Sequence, residues 1–195
     1  MPKSRLEAFS DGVIAIIITI MVLEMKAPQG AELDALRPVL PAFLSYVLSF
    51  IYVGIYWNNH HHIFHAVERV SGMTLWANLH LLFWLSLTPF VTHWMGSSNF
   101  AAWPVAAYGI VLLMCGVAWE IERRVLLRCH DLQSPLAKAM GRYFKEWVSV
   151  ALYVVAIAAA FVNTWVACTL YFLVAVIWFI PDRRIENELE GAGAE

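Results

Sequence analysis

Four stretches of this chain carry no Asp, Glu, Lys or Arg, and short polar segments separate them. The uncharged runs cover 12–23, 38–67, 70–119 and 147–181. One helix needs about 20 apolar residues to cross a bilayer, so the third run holds two crossings. The 35 residues of the fourth run hold two only with the flanking residues 143–146 and 182–184. The first run is too short by itself. It crosses only if its helix begins near Arg5 and takes Asp11 into or near the membrane.

Turn signals divide the two longest runs. Gly96-Ser97-Ser98-Asn99 interrupts the third run, and Asn163-Thr164 interrupts the fourth. Pro89 removes a backbone donor and is expected to kink the third span near Leu85. The pattern predicts an all-α membrane protein with six transmembrane helices in one unit covering 1–195. The predicted spans are about 5–25, 38–62, 73–94, 101–122, 144–162 and 164–181.

Composition narrows the class of protein and its partners. The chain is 61% hydrophobic and 14% charged, whereas a soluble domain averages about 45–50% and about 25%. A soluble globular or disordered protein is thus excluded, and the lipid bilayer is the expected environment. A net charge of −2 predicts no nucleic-acid partner. The common catalytic and nucleotide-binding motifs are missing from the sequence, so no enzyme is expected.

Basic residues predict the orientation, because Lys and Arg concentrate in cytoplasmic loops. With six spans, Lys26 and Arg37 lie on one side and the other eleven of the thirteen lie opposite. Both termini are therefore expected in the cytoplasm, and the chain in the cell (inner) membrane. The eleven are Lys3, Arg5, Arg69, Arg123, Arg124, Arg128, Lys138, Arg142, Lys145, Arg183 and Arg184.

The first helix has three distinct faces when it is projected at 100° per residue. A stripe of about 80° holds large apolar residues: Phe9, Val13, Ile16, Ile20 and Leu23. Beside it runs a stripe of small residues: Ala8, Gly12, Ala15 and Thr19. Asp11 lies on a third face, which must look into protein or water because a carboxylate facing lipid is costly. The large apolar face can meet either lipid or copies of itself around an axis.

Other polar residues recur inside the predicted membrane. Trp57, His60 or His61, and Phe64 share a face of the second span, and Asn78 lies one turn into the third. An Asn in lipid needs a hydrogen-bond partner on another helix. These residues are read either as a polar clamp between helices or as a titratable gate. A metal site at His60-His61-His62-x-x-His65 is not expected, because only some of these side chains can face one point.

Three motifs in order resemble the transmembrane protein 175 family of potassium channels. The first is Arg5-x-x-x-Phe9-Ser10-Asp11, followed by Gly-Val-x-Ala-Ile-x-x-Thr19-x-x-x-Leu23. The second is Trp57-x-x-His60-His61-x-x-Phe64, and the third is Leu75-Trp76-Ala77-Asn78-Leu79 with Pro89-Phe90. The triplet His60-His61-His62 leaves open which histidine takes the role of the family's motif residue.

The resemblance implies a homotetramer that conducts monovalent cations, with the first helix lining a central pore. It implies a potassium-permeable channel with a hydrophobic constriction in place of a carbonyl filter, and no cofactor beyond the permeant ion. The implied pore-lining residues are Ile16, Thr19, Ile20 and Leu23. The implied polar network that couples the helices comprises Arg5, Phe9, Ser10, Asp11, Trp57, His60, His61 and Asn78.

A proton-linked secondary transporter or a proton leak is the alternative function. Intramembrane acids and histidines form proton relays, and Asp11 and the histidines could serve in one. Transporters usually show internal repeats or paired broken helices, and the sequence shows neither.

Overall fold

The structure is a computed structural model that describes residues 3–67, 69–128 and 144–179. Every regular element within these ranges is helical, which confirms the all-α prediction. The α-helices are α1 (Lys3–Leu23), α2 (Leu40–Ala66), α3 (Gly72–Ser86), α4 (Thr88–Ser97), α5 (Ala102–Arg128), α6 (Phe144–Ala159) and α7 (Thr164–Phe179). A short 3-10 helix, Leu33–Val39, leads into α2.

Four stretches are long and apolar enough to cross a membrane: Lys3–Leu23, Leu33–His65, Gly72–Ser97 and Ala102–Arg128. The chain is therefore a multi-pass membrane protein. Within the described residues α6 and α7 have 16 residues each, and α6 begins and α7 ends where the described ranges do. That length rises about 24 Å, which is less than the about 30 Å of a hydrocarbon core. The six-span count and the single unit over 1–195 stay predictions.

The third predicted span is two helices in the structure. Helix α3 ends at Ser86 and α4 begins at Thr88, just past the predicted kink near Leu85. Pro89 lies in the first turn of α4. Its ring carries no N–H and is tolerated at that position, whereas it would clash inside a continuous helix. The break is therefore a consequence of Pro89.

Helix α5 continues past the predicted end of the fourth span at 122. It runs to Arg128, so Arg123, Arg124 and Arg128 lie on a helix and not in the predicted loop. The reason is local, because Glu120 pairs with Arg123 at 2.8 Å and with Arg124 at 2.6 Å one turn further on. The other predicted cytoplasmic basic residues Lys138, Arg142, Arg183 and Arg184, and the end of the sixth span, lie outside the described residues.

Both predicted turns lie between helices, but the first begins later than predicted, because Gly96 and Ser97 still belong to α4. Between α4 and α5 the backbone of Asn99 and Phe100 is left-handed, with φ of 50° and 58°. The Phe100 ring lies 5.3 Å from the Trp165 ring, which holds this turn against the start of α7. Before α7, the Oδ1 of Asn163 accepts a hydrogen bond of 2.9 Å from the Trp165 N–H. Asn at this position satisfies a backbone donor that the first helical turn leaves free.

Buried hydroxyl groups connect four helices in the core. Ser49 of α2 bonds Thr92 of α4 at 2.7 Å and Tyr108 of α5 at 3.0 Å. The Tyr52 hydroxyl donates to the Tyr171 carbonyl at 2.6 Å, and the Tyr171 hydroxyl donates to the Val105 carbonyl at 3.1 Å. Such bonds hold membrane helices together where the lipid offers no partner.

Helices α2 and α4 approach backbone to backbone at Gly96. A Cβ atom added at Gly96 would lie 2.6 Å from the Cα of Ala42. That distance is far inside van der Waals contact, and the obstacle is main chain that cannot rotate away. Gly96 is therefore required by packing.

Replacing Gly96 with Ala is expected to destabilise the protein by about 1–3 kcal/mol, because overpacking forces the two backbones apart. The measurement is the unfolding temperature in detergent, followed by loss of the monodisperse peak after heating. Gly54→Ala on α2 is the matched control, since a Cβ there meets nothing within 4 Å. That control should be neutral or stabilising because Ala favours helix. Equal unfolding temperatures for both variants would contradict the close contact.

Candidate functional site

Helix α1 buries one face against its own chain, where it packs on α2, α3 and α4. The buried residues recur every three or four positions, as on one face of a helix. They are Leu6, Ser10, Ile14, Ile17 and Met21. One polar side chain, Ser10, thus lies within an apolar face.

The opposite face of α1 is uncovered. Four large apolar side chains on it are exposed: Phe9 (52%), Ile16 (57%), Ile20 (40%) and Leu23 (79%). The small residues Ala8, Gly12 and Ala15 are exposed as well, and nothing in the chain lies within 4 Å of a Cβ added at Gly12. Of the predicted apolar stripe, Val13 alone is partly buried. An exposed helix face of this size calls for lipid or further protein.

Thr19 lies on the exposed face between Ile16 and Leu23. Its hydroxyl donates its hydrogen to the Ile16 carbonyl at 2.8 Å, within the helix. A hydroxyl has one hydrogen and two lone pairs. With the hydrogen engaged, the Oγ1 atom keeps a lone pair for a group approaching this face, and a cation is such a group.

A buried hydrogen-bonded chain joins α1, α2 and α3. Ser10, His60 and Asn78 are at most 2% exposed. The Ser10 hydroxyl lies 2.9 Å from the Leu6 carbonyl, the Asn78 Nδ2 lies 3.0 Å from Ser10 Oγ, and the His60 Nε2 lies 3.0 Å from Asn78 Oδ1.

Ser10 Oγ also lies 3.2 Å from Asn78 Oδ1, but donation to the nearer Leu6 carbonyl at 2.9 Å gives an assignment of donors that uses each hydrogen once. Ser10 donates its only hydrogen to the Leu6 carbonyl and accepts from the Asn78 amide. The amide oxygen of Asn78 then accepts from the His60 Nε2–H, which is the tautomer that completes the chain. The group is thus satisfied with a neutral imidazole.

Of the triplet His60-His61-His62, the structure places His60 in this buried group. The His60 ring stacks on Phe64 at 4.4 Å. His61 points to another face, where it is exposed and stacks on Trp57 with ring centres 6.1 Å apart. Of the histidines that the sequence left open, His60 is the one in contact with Asn78.

Asp11 forms a separate contact at the helix surface. The Trp57 indole N–H donates to Asp11 Oδ1 at 3.0 Å, and both side chains are exposed in the single chain. Arg5 and Phe9, which the motif groups with these residues, lie exposed on α1. The predicted network is thus divided into a buried group, a surface pair and three further exposed side chains, Arg5, Phe9 and His61.

Sequence reasoning missed the cluster of Ser49, Thr92 and Tyr108. Thr88 and Thr92 stand four residues apart in an apolar helix and are both buried. Two hydroxyl residues at that spacing share a face, which is the signal that could have found the cluster. It anchors α4, the helix that packs beside α1.

These features define an all-helical, multi-pass membrane protein. Its first helix is hydrogen-bonded to its own chain on one face and is exposed on the other. The family model described as "Endosomal/lysosomal potassium channel TMEM175" matches residues 5–89. A Chryseobacterium protein named as a potassium channel is 57% identical over 190 residues, covering 97% of this chain and 99% of its own. The chain therefore belongs to the TMEM175 family.

More distant relatives agree with this assignment. A Streptomyces collinus protein named as a potassium channel is 33% identical over 70% of this chain and 73% of its own. A crystal structure titled as a lysosomal potassium-selective channel TMEM175 homolog from Chamaesiphon minutus matches with a TM-score of 0.78 and 27% identity. It covers 91% of this chain and 96% of the solved one. The likeness therefore extends beyond the motif-bearing first half.

Replacing Asn78 with Ala leaves Ser10 and His60 buried without their partner. We expect a loss of about 1–3 kcal/mol in stability, the usual result of an unsatisfied buried group. Trp57→Phe is the comparison variant, because it removes one exposed hydrogen bond and keeps the ring; its loss should be below about 1 kcal/mol. Thermal unfolding in detergent measures both. A larger loss for Trp57→Phe would contradict the ranking of the two contacts.

Proposed function

We propose that four copies of this chain form a potassium-permeable channel, with α1 of each copy lining a central pore. The observation that carries the proposal is the bare face of α1. Ile16, Thr19, Ile20 and Leu23 turn away from the chain's own helices, although α1 contacts three of them on the other side.

Closed symmetry explains how such a face is covered. A bare helix face in a membrane is covered by lipid or by copies of the same chain, and small residues allow the backbones of two helices to approach. Ala8, Gly12 and Ala15 supply that stripe beside the large apolar residues. Relatives named as potassium channels, which this chain matches almost end to end, support the potassium permeation of the proposal.

A hydrophobic constriction on this face is the proposed gate. Isoleucine and leucine offer no oxygen that can replace the hydration shell of an ion, so a narrow ring of them excludes water and blocks conduction by dewetting. Ile16, Ile20 and Leu23 lie on the same exposed face, and Ile16 and Leu23 are the proposed closing residues. Opening then requires that the α1 helices move apart.

Thr19 is the proposed selectivity element. Its Oγ1 faces outward with its hydrogen already donated to the Ile16 carbonyl. Four such oxygens around an axis present lone pairs to a partly dehydrated cation. Because one ring of hydroxyls replaces little of the hydration shell, the preference for potassium over sodium should be modest.

The proposed channel lies in the cell (inner) membrane with both termini in the cytoplasm. This follows the uneven distribution of Lys and Arg between the two sides. The buried group of Ser10, His60 and Asn78 then lies toward the cytoplasmic end of the pore helix, and Leu23 lies toward the outer end.

Ile16→Asn is expected to raise potassium current at least several-fold, because a polar side chain keeps the constriction wet. Single-channel and macroscopic recording in planar bilayers measures it. Ile17→Val is the matched control, since Ile17 is 3% exposed and faces the core. An unchanged current in Ile16→Asn protein that folds normally would remove Ile16 from the pore.

Two substitutions at Thr19 distinguish the contribution of its hydroxyl oxygen from that of its side-chain volume. Thr19→Val keeps the volume and loses the hydroxyl, so the potassium preference should fall toward one; Thr19→Ser keeps the oxygen and should retain it. Reversal potentials in asymmetric potassium and sodium solutions give the ratio. Equal ratios in the two variants would show that the hydroxyl plays no part in selectivity.

Proton permeation is the second candidate function. A Bos taurus relative, 29% identical over 87% of this chain and 38% of its own length, is named an endosomal/lysosomal proton channel. Asp11 bonds Trp57, which lies one turn before His60 on α2. Asp11 and His60 are therefore the titratable side chains proposed to take part in proton movement. Proteoliposomes with an internal pH dye decide between the candidates. Potassium current without proton flux supports the first, and proton flux without potassium current supports the second.

A further inference from the structure

A polar pair at the far end of α1 takes no part in the function proposed above. Glu24 directly follows α1, and its N–H bonds the Ile20 carbonyl at 3.0 Å, so it continues the last helical turn. His93 lies on the neighbouring helix α4. The Nδ1 of His93 is 3.6 Å from the Oε2 of Glu24, and the side chains are 39% and 52% exposed. Water and solutes therefore reach both groups.

The separation of these atoms suits two ligands of one metal ion. It is longer than a good hydrogen bond, for which donor and acceptor lie at 2.7–3.2 Å. Ligands at about 2.0–2.2 Å from a tetrahedral Zn²⁺ lie about 3.4 Å apart. A neutral imidazole has a lone pair on one ring nitrogen, and a carboxylate supplies the second ligand. Among the described residues no third His, Cys, Asp or Glu joins them, so a metal ion held here would need water as its remaining ligands.

We propose that Glu24 and His93 form a binding site for a transition-metal cation of the Zn²⁺ type at the outer end of the pore helix. A bound cation joins α1 to α4 and restrains the pore. Imidazole nitrogen favours such cations over K⁺ and Mg²⁺, which prefer oxygen ligands. The effect on the pore rests on the proposed function; binding of the metal does not.

The packing of α4 explains why a bridge here acts on α1. Thr92, next to His93, is hydrogen-bonded to Ser49 at 2.7 Å, and Gly96 lies directly against the backbone of α2. Helix α4 is therefore fixed to α2. Glu24 follows Leu23, whose side chain is 79% exposed on the bare face. A metal bridge ties this end of α1 to a fixed neighbour and opposes the outward movement that widens the constriction.

Calorimetric titration of the purified protein in detergent with zinc chloride tests the site directly. Glu24→Gln and His93→Ala should each weaken binding by about tenfold or more, because loss of a ligand leaves one protein group. Glu24→His, which replaces the carboxylate by a second imidazole, should bind zinc, in contrast to Glu24→Gln. His65→Ala is the matched control, since it removes an exposed histidine at the opposite end of the bundle. Equal affinity in the wild type and both site variants overturns the site.

Planar-bilayer recording tests the restraint. Zinc added on the outer side should reduce wild-type potassium current, and the reduction should disappear in Glu24→Gln and His93→Ala. Zinc on the inner side, where the histidines of α2 lie, should have no such effect. Binding that leaves the current unchanged overturns the restraint. If the zinc-free wild type carries no current, the proposed function fails, and the calorimetry still decides the site.

Discussion

The rotation of α1 within its bundle depends on one satisfied polar contact in an apolar surrounding. Ser10 gives its hydrogen to its own helix and accepts from the Asn78 amide, while the Asn78 amide oxygen accepts from His60. Turning α1 by one residue would break the Ser10–Asn78 bond and leave the Asn78 amide hydrogen unpaired where lipid and apolar side chains offer no substitute. The contact therefore holds Ser10 inward and, on a rigid helix, holds Ile16 and Leu23 outward.

The rest of the architecture supports this arrangement from two sides. Pro89 breaks the third span into α3 and α4, and both helices pack beside α1. Buried hydroxyls at Ser49 and Thr92, and the close approach at Gly96, then fix α4 to α2. Helix α1 is thus held firmly near its start, by α2 and α3, and through Glu24 and His93 near its end. Ile17 and Met21, toward that end, are also buried against the chain, so α1 is packed along most of its length.

The bare face of α1 combines two kinds of surface that serve different purposes. Small residues allow close approach of another helix, whereas the large apolar residues fill space on an axis and exclude water. Thr19 adds an oxygen within the apolar surface without exposing a free donor, because its hydrogen is retained by the helix. Under the proposed function, the same face would serve as a subunit contact, a barrier and an ion ligand.

Hydrophobic runs and turn residues determined the helices of this protein, because burial of apolar residues in lipid and the conformations of Gly, Pro and Asn act locally. The sequence motifs likewise identify Ser10, Asp11, Trp57 and Asn78 without reference to the fold. Only the tertiary structure decided which histidine meets Asn78, since His60 and His61 differ by 100° around a helix whose rotation depends on its neighbours. It also decided that Arg123 is buried on α5 and that Glu24 meets His93. Those contacts join residues far apart in sequence, and no local pattern records them.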